Sequence, residues 1–165
     1  MAKKVGDKHI TFFKKLTDLP ILDKLPKDKQ VLVIFDDMVN EKNQEIITEY
    51  FIRSRKHGRG VSLAYLSQSY FKIPKTIRLQ FNYLIILRLS SVRDLNLIVS
   101  DFNLGVTKDK MMEIYKDATK ENFHFLKIDL SSKSANRRYS NNFCDFYVID
   151  DDDDTSSDND APFGS

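Results

Sequence analysis

The chain has 165 residues, 41% of them hydrophobic and 30% charged, which suits one soluble domain with a core of its own. Its net charge of +2 hides a split: the stretch from Asp150 onward holds seven aspartates and no lysine or arginine, and without them 26 basic residues face 17 acidic ones. A body near +9 favours a polyanionic partner such as DNA, while the lone cysteine, Cys144, excludes an internal disulfide and points to a reducing, intracellular compartment.

No apolar run approaches the roughly 20 residues of a membrane span, so no membrane partner is expected. Met1-Ala2-Lys3-Lys4 carries charge with no apolar stretch behind it, unlike a signal peptide. Residues 1–30 are polar and Lys-rich. Leu19-Pro20 and Leu25-Pro26 break any long element there, leaving a short strand or helical turn and a loop that leads into the core.

Val31-Leu32-Val33-Ile34-Phe35 is the organising run. A short, continuous, β-branched stretch predicts a strand buried on both faces, as in parallel sheets covered by helices. Asp36 and Asp37 follow at once. In open parallel sheets ligands sit outside the carboxyl ends of the strands. Two acids at that position suit Mg²⁺ binding and the orientation of a water in nucleotide hydrolysis. A polar strand end before a turn is the plainer alternative.

Asn40 is a candidate N-cap for a helix over 41–57, with Ile46, Ile47, Tyr50 and Phe51 on one face and Gly58 just past its end. Val61–Leu66 predicts a second strand, ending in Ser67-Gln68-Ser69. Strand, helix and strand with short links make a parallel βαβ unit, which brings Gln68 to the same sheet edge as Asp36 and Asp37. Pro74 opens a short helix through Leu79, and Tyr83–Leu87 is a third buried-strand candidate. Ser90 or Ser91 caps a helix carrying Leu95, Ile98 and Val99, and Thr107 starts another with Met111, Ile114 and Ala118 inward. Phe123–Leu130 alternates like a strand with one wet face, and 137–147 returns as a hairpin partner. The tail, 150–165, is too polar to order itself.

The five glycines never form the G-x-x-x-x-G-K-[ST] loop that cradles phosphates. His9, His57 and His124 show no metal-ligand spacing, and no G-x-S-x-G elbow is present.

VLVIFDDM, the helix end RSRKHGRG, the block VSLAYLSQSYFKIPKTIRLQFNYLIIL and RDLNLIVSDF together resemble the genome-packaging ATPases of large DNA viruses and Polinton-like elements, within the FtsK–HerA superfamily. The resemblance runs over roughly 10–149. It implies an α/β fold: part of a RecA-like, three-layer P-loop NTPase sandwich, with a mostly parallel sheet, helices on both faces and a C-terminal β-hairpin. The ATPase core would span 31–149.

The resemblance also implies roles. Asp36 matches the Walker B acid that holds Mg²⁺ through water, and Asp37 the acid that polarises the attacking water. Gln68 matches the sensor of the γ-phosphate. Arg55 and Arg59 compete for the finger inserted into a neighbour's site. Lys72, Lys75 and Arg78 would follow a DNA backbone, against the alternative of a solvated basic helix. ATP and Mg²⁺ are the implied cofactors. Double-stranded DNA, a ring of subunits or a full-length relative, and capsid proteins are the implied partners. The implied location is a viral assembly site or the host nucleus or cytoplasm. Family members begin with the phosphate loop, so these residues correspond to the C-terminal part of such a motor. A non-catalytic remnant that binds protein or DNA, and a separate nucleic-acid-binding domain, are the alternatives.

Overall fold

The computed structural model describes residues 10–56, 60–89, 91–102 and 104–149. The acidic tail, His57, Gly58, Arg59 and Ser90 lie outside the described residues, and with them the expectations placed there. The chain divides into two compact units, one running through Gln68 and including Lys72–Gln80, the other comprising Ser69–Phe71 and the residues from Phe81 onward.

In the first unit, β1 (Val31–Asp36) pairs in parallel with β2 (Val61–Leu66), in register from Val31 opposite Val61 to Asp36 opposite Leu66. The connection carries α1 (Gln44–Arg53). Phe35, 2% exposed, packs against the rings of Tyr50, Phe51 and Tyr65 at centroid distances of 5.8, 6.0 and 6.3 Å. Alternation along the strand sends Phe35 to the α1 side and Leu32 and Ile34 to the other. That second face is bare: Leu32 is 61% exposed and Ile34 55%. The expectation of a strand buried on both faces therefore fails for β1, because among the described residues a helix covers only one side.

The helix is also shorter than its apolar pattern suggests. Asn40 closes a 3-10 turn, Met38–Asn40, and Glu41 is extended, so α1 starts at Gln44. The Gln44 side chain ties the two segments by donating to the carbonyls of Met38 (2.5 Å) and Glu41 (3.0 Å). Two further 3-10 turns, Leu16–Asp18 and Leu22–Lys24, bury Leu16 and Leu22, and the Tyr50 hydroxyl donates to the Pro20 carbonyl. The polar lead-in is thus docked on the first unit. A short helix α2, Lys75–Arg78, follows Pro74.

The second unit is a four-stranded antiparallel sheet in the order β3 (Tyr83–Ile86), β4 (Leu126–Asp129), β5 (Tyr139–Asn141), β6 (Asp145–Phe146). The α/β class and the C-terminal hairpin agree with expectation. The third strand does not join β1 and β2; it pairs antiparallel with β4, from Tyr83 opposite Asp129 to Ile86 opposite Leu126. Antiparallel ladders therefore outnumber parallel ones among the described residues, where a mostly parallel sheet was expected. β3 alternates buried Leu84 and Ile86 with exposed Tyr83 and Ile85, the signature of a sheet with one open face.

Helices α3 (Val92–Asp101) and α4 (Lys108–Ala118) bury Leu95, Ile98, Met111, Ile114 and Ala118. Both start on side-chain caps: Ser91 accepts from the Arg93 N–H at 3.1 Å and Thr107 from the Lys110 N–H at 3.2 Å. The Leu104 carbonyl accepts from Arg138 Nη1 (2.6 Å) and from the Tyr139 hydroxyl (2.5 Å), fixing the turn whose next residue, Gly105, has φ +67°.

Candidate functional site

The carboxyl end of β1 and β2 collects the acid pair and the glutamine. Asp36 lies opposite Leu66, the last residue of β2, and Gln68 stands two residues further on. The ladder continues one step past β1, because the Asp37 N–H donates to the Leu66 carbonyl at 3.0 Å. Asp36, Asp37 and Gln68 are all exposed, so their side chains remain open to a ligand.

Asp37 has φ +52° and ψ +36°, the left-handed region. Outside glycine this conformation costs about 1–2 kcal/mol, less for Asp and Asn, and such outliers gather at functional sites. At Asp37 the chain leaves the extended conformation and enters the 3-10 turn Met38–Asn40.

Two residues absent from the motif reading border this turn. Gln44 holds the Met38–Glu41 segment, as described. Tyr65, on β2 opposite Phe35, has its phenol raised above the ordinary value; burial is the main cause, a Gln44 side-chain contact works against it, and the negative charge of Asp37 adds to it. It therefore stays a neutral hydroxyl through the physiological range. Sequence signals for these two were weak, since a Gln in a first helical turn and a Tyr in an apolar strand are both common.

The basic candidates separate. Arg55, in the 3-10 turn Ser54–Lys56, is exposed and donates through Nη2 to the Gln80 carbonyl at 2.9 Å. Arg59 lies outside the described residues. Lys72 and Lys75 are exposed, but Arg78 is buried at 7% exposure, so it does not share their surface. Its place on the inner side of α2, beside fully buried Ile77, takes it out of a backbone-following row.

Among the described residues no cluster of three or more His, Cys, Asp or Glu could hold a metal ion by itself. Two adjacent carboxylates nevertheless suit Mg²⁺, which keeps several waters and is bound through one or two carboxylates plus substrate phosphates. No helix among the described residues is long and apolar enough to cross a membrane.

No curated protein and no solved structure matches the chain. A family model described as Poxvirus A32 protein matches residues 8–161. The chain therefore belongs to the Poxvirus A32 protein family and is related to the ATPases that package viral genomes.

Proposed function

We propose that the chain is the C-terminal portion of a DNA-translocating, genome-packaging ATPase of the FtsK–HerA type, carrying Walker B, sensor and finger elements. What supports this reading is the shared edge: Asp36, Asp37 and Gln68 stand together at the carboxyl end of two paired parallel strands. Asp36 contributes a water-mediated contact to Mg²⁺, which when bound offsets charge on the nucleotide phosphates. Asp37 accepts a hydrogen bond from the attacking water, and the left-handed turn sets its direction. The Gln68 amide contacts the γ-phosphate. Arg55 or Arg59 reaches a neighbouring subunit's nucleotide, which ties hydrolysis to a ring. Exposed Lys72 and Lys75 contact the DNA backbone. Such a motor works inside the infected cell, at the site of virion assembly, with capsid proteins as further partners.

These residues supply carboxylates but no phosphate-gripping loop, so that loop comes from a segment outside them or from another polypeptide. The same lack favours a second reading, a non-catalytic remnant that binds a full-length relative or DNA. Nucleotide binding separates the cases. The 165-residue chain with Mg²⁺ should bind ATP weakly or undetectably, and hydrolysis should appear on co-assembly with a loop-bearing relative and vanish with Asp37→Asn or Gln68→Ala. Micromolar ATP binding by the chain alone would overturn the need for an outside loop. Co-assembly without any contribution of Asp37 or Gln68 to hydrolysis would favour the remnant.

A further inference from the structure

The antiparallel sheet presents two unlike faces. On one, Leu84, Ile86, Leu126, Ile128 and Tyr139 are buried, and α4 closes over it, with Asp117 Oδ2 accepting from the Tyr147 hydroxyl at 2.7 Å. Register and alternation put Tyr83, Ile85, Lys127, Asp129, Ser140 and Phe146 on the other. That face is open: Tyr83 is 57% exposed, Ile85 51% and Phe146 48%.

One row crosses all four strands. Ile85 pairs with Lys127, Lys127 with Ser140, and Ser140 with Phe146. The Lys127 ammonium lies 5.4 Å from the centre of the Phe146 ring, within cation–π range. Ser140 between them is fully buried, and its hydroxyl donates to the Asn142 carbonyl at 3.0 Å. Asp129 is the one acid that alternation brings to this face among the described strand residues. Its Oδ1 already accepts from the Ser131 N–H at 2.9 Å and the Ser131 hydroxyl at 2.6 Å. Asp145, paired with Asn141, belongs to the opposite side. The face is therefore flat rings and an aliphatic strip around a cation.

An exposed apolar patch marks an interaction surface. A dry protein interface suits this one poorly, because lysine is depleted from interface centres and its charge resists burial without a partner. A single nucleic-acid strand suits it well: rings stack bases of any sequence, and a cation among them meets the phosphates. Three inter-strand steps of about 4.8 Å make the platform roughly 14 Å wide, room for two or three unstacked bases. A duplex keeps its base faces stacked on one another and offers none to these rings. A ribose 2′-hydroxyl needs polar partners, and the Ser140 hydroxyl is buried and already bonded. We propose that the open face of β3–β6 binds single-stranded DNA, with bases stacked on Tyr83 and Phe146 and a phosphate held by Lys127. This goes beyond the motor reading, in which Lys72 and Lys75 of the first unit contact a duplex, and does not depend on it.

The test is fluorescence anisotropy on the full chain with a labelled oligothymidylate of about 12 nucleotides, beside a duplex and an oligouridylate of the same length. The oligothymidylate should bind, and Tyr83→Ala and Phe146→Ala should each weaken it about 5- to 100-fold, as expected for one lost stack. Both side chains are exposed, so urea unfolding should hardly change. Phe146→Leu keeps apolar bulk without the flat ring and should bind as poorly as Phe146→Ala, whereas Phe146→Trp should bind like the parent. The chain has no other tryptophan, so quenching of that indole on adding DNA reports the stack itself. Lys127→Ala should weaken binding and reduce the salt slope by about one. Alanine at both Lys72 and Lys75 should leave single-strand binding unchanged. No binding at low salt, binding indifferent to Tyr83 and Phe146, or tighter binding of the duplex or the oligouridylate would overturn the proposal. So would self-association in sedimentation that Phe146→Ala abolishes and DNA does not disturb, since a second copy then covers the face. None of these readouts needs ATP hydrolysis, so failure of the motor reading and failure of this one are told apart.

Discussion

The β1–β2 edge and the antiparallel sheet of β3–β6 use their residues differently. At the edge, charged and polar side chains are exposed, one residue sits in a left-handed turn, and an apolar strand face is open. In the antiparallel sheet, Leu126, Ile128, Tyr139 and Ser140 are fully buried, and polar groups close on the protein's own backbone. Groups that spend their hydrogen bonds internally stabilise a fold; groups left facing solvent at a strand end are free to meet a ligand. The contrast predicts that substitutions at the edge remove activity and spare stability, and that substitutions in the sheet do the reverse.

The largest expected effect is at the finger. Arg55→Ala and Arg59→Ala, made separately in a ring assembled with a loop-bearing relative, should part company: one should lower the hydrolysis rate by about 10³–10⁵ and the other by little. Thermal unfolding should hardly change in either. Equal, small losses would remove the finger from both positions.

In the sheet, Ile128→Ala should cost about 2–5 kcal/mol, because the side chain is fully buried and its neighbours cannot fill the gap. Ile34→Ala, on the bare face of β1, should stay within about 0.5 kcal/mol. Urea titration of the two variants checks the pair, and equal losses would mean that the β1 face is covered in solution.

Tyr139 gives the contrast a pH dependence. Burial pushes its phenol up to about 12, with the adjacent Arg138 working the other way. A raised folded-state value means that the neutral form is favoured in the fold. The contribution is intact below the ordinary value of 10.0 and is lost as pH rises through about 12. The loss amounts to roughly 2–3 kcal/mol by the usual conversion. Tyr139→Phe should flatten this part of the alkaline limb in unfolding experiments, at a cost of about 1 kcal/mol at neutral pH for the lost bond to Leu104. An unchanged limb would show that other tyrosines carry it.

The smallest effect on stability is expected at Asp37. With φ at +52°, Asp37→Gly relieves strain while adding chain entropy to the unfolded state, so stability should change by less than about 1 kcal/mol in either direction. Hydrolysis by the assembled ring should nevertheless be lost. A large destabilisation would make Asp37 a structural residue.

Much of this contrast can be read from the residues, and its limits have physical causes. The runs 31–36 and 61–66 announce two strands, and the helix between them dictates parallel pairing, so the edge site follows from local signals. Ser91 and Thr107 announce α3 and α4 for the same reason, since caps are local. Pairing of β3 with β4 is not local: more than thirty residues separate them, and an apolar run of four says nothing of its partner's direction. The bare faces of β1 and β3 depend on what covers a strand, which an apolar run does not encode. Arg78 is hidden by the habit of placing charge outside.

The central claim is that Asp36, Asp37 and Gln68 serve one nucleotide. Paramagnetic broadening of the labelled chain by Mn²⁺–ATP tests this directly, since binding in fast exchange that is too weak for a titration to detect is enough to produce it. Signals of Asp36, Asp37 and Gln68 should fade together and ahead of Leu126 and Ile128. Fading at the two aspartates with Gln68 untouched, or fading confined to the aspartates from Asp150 onward, would contradict the account.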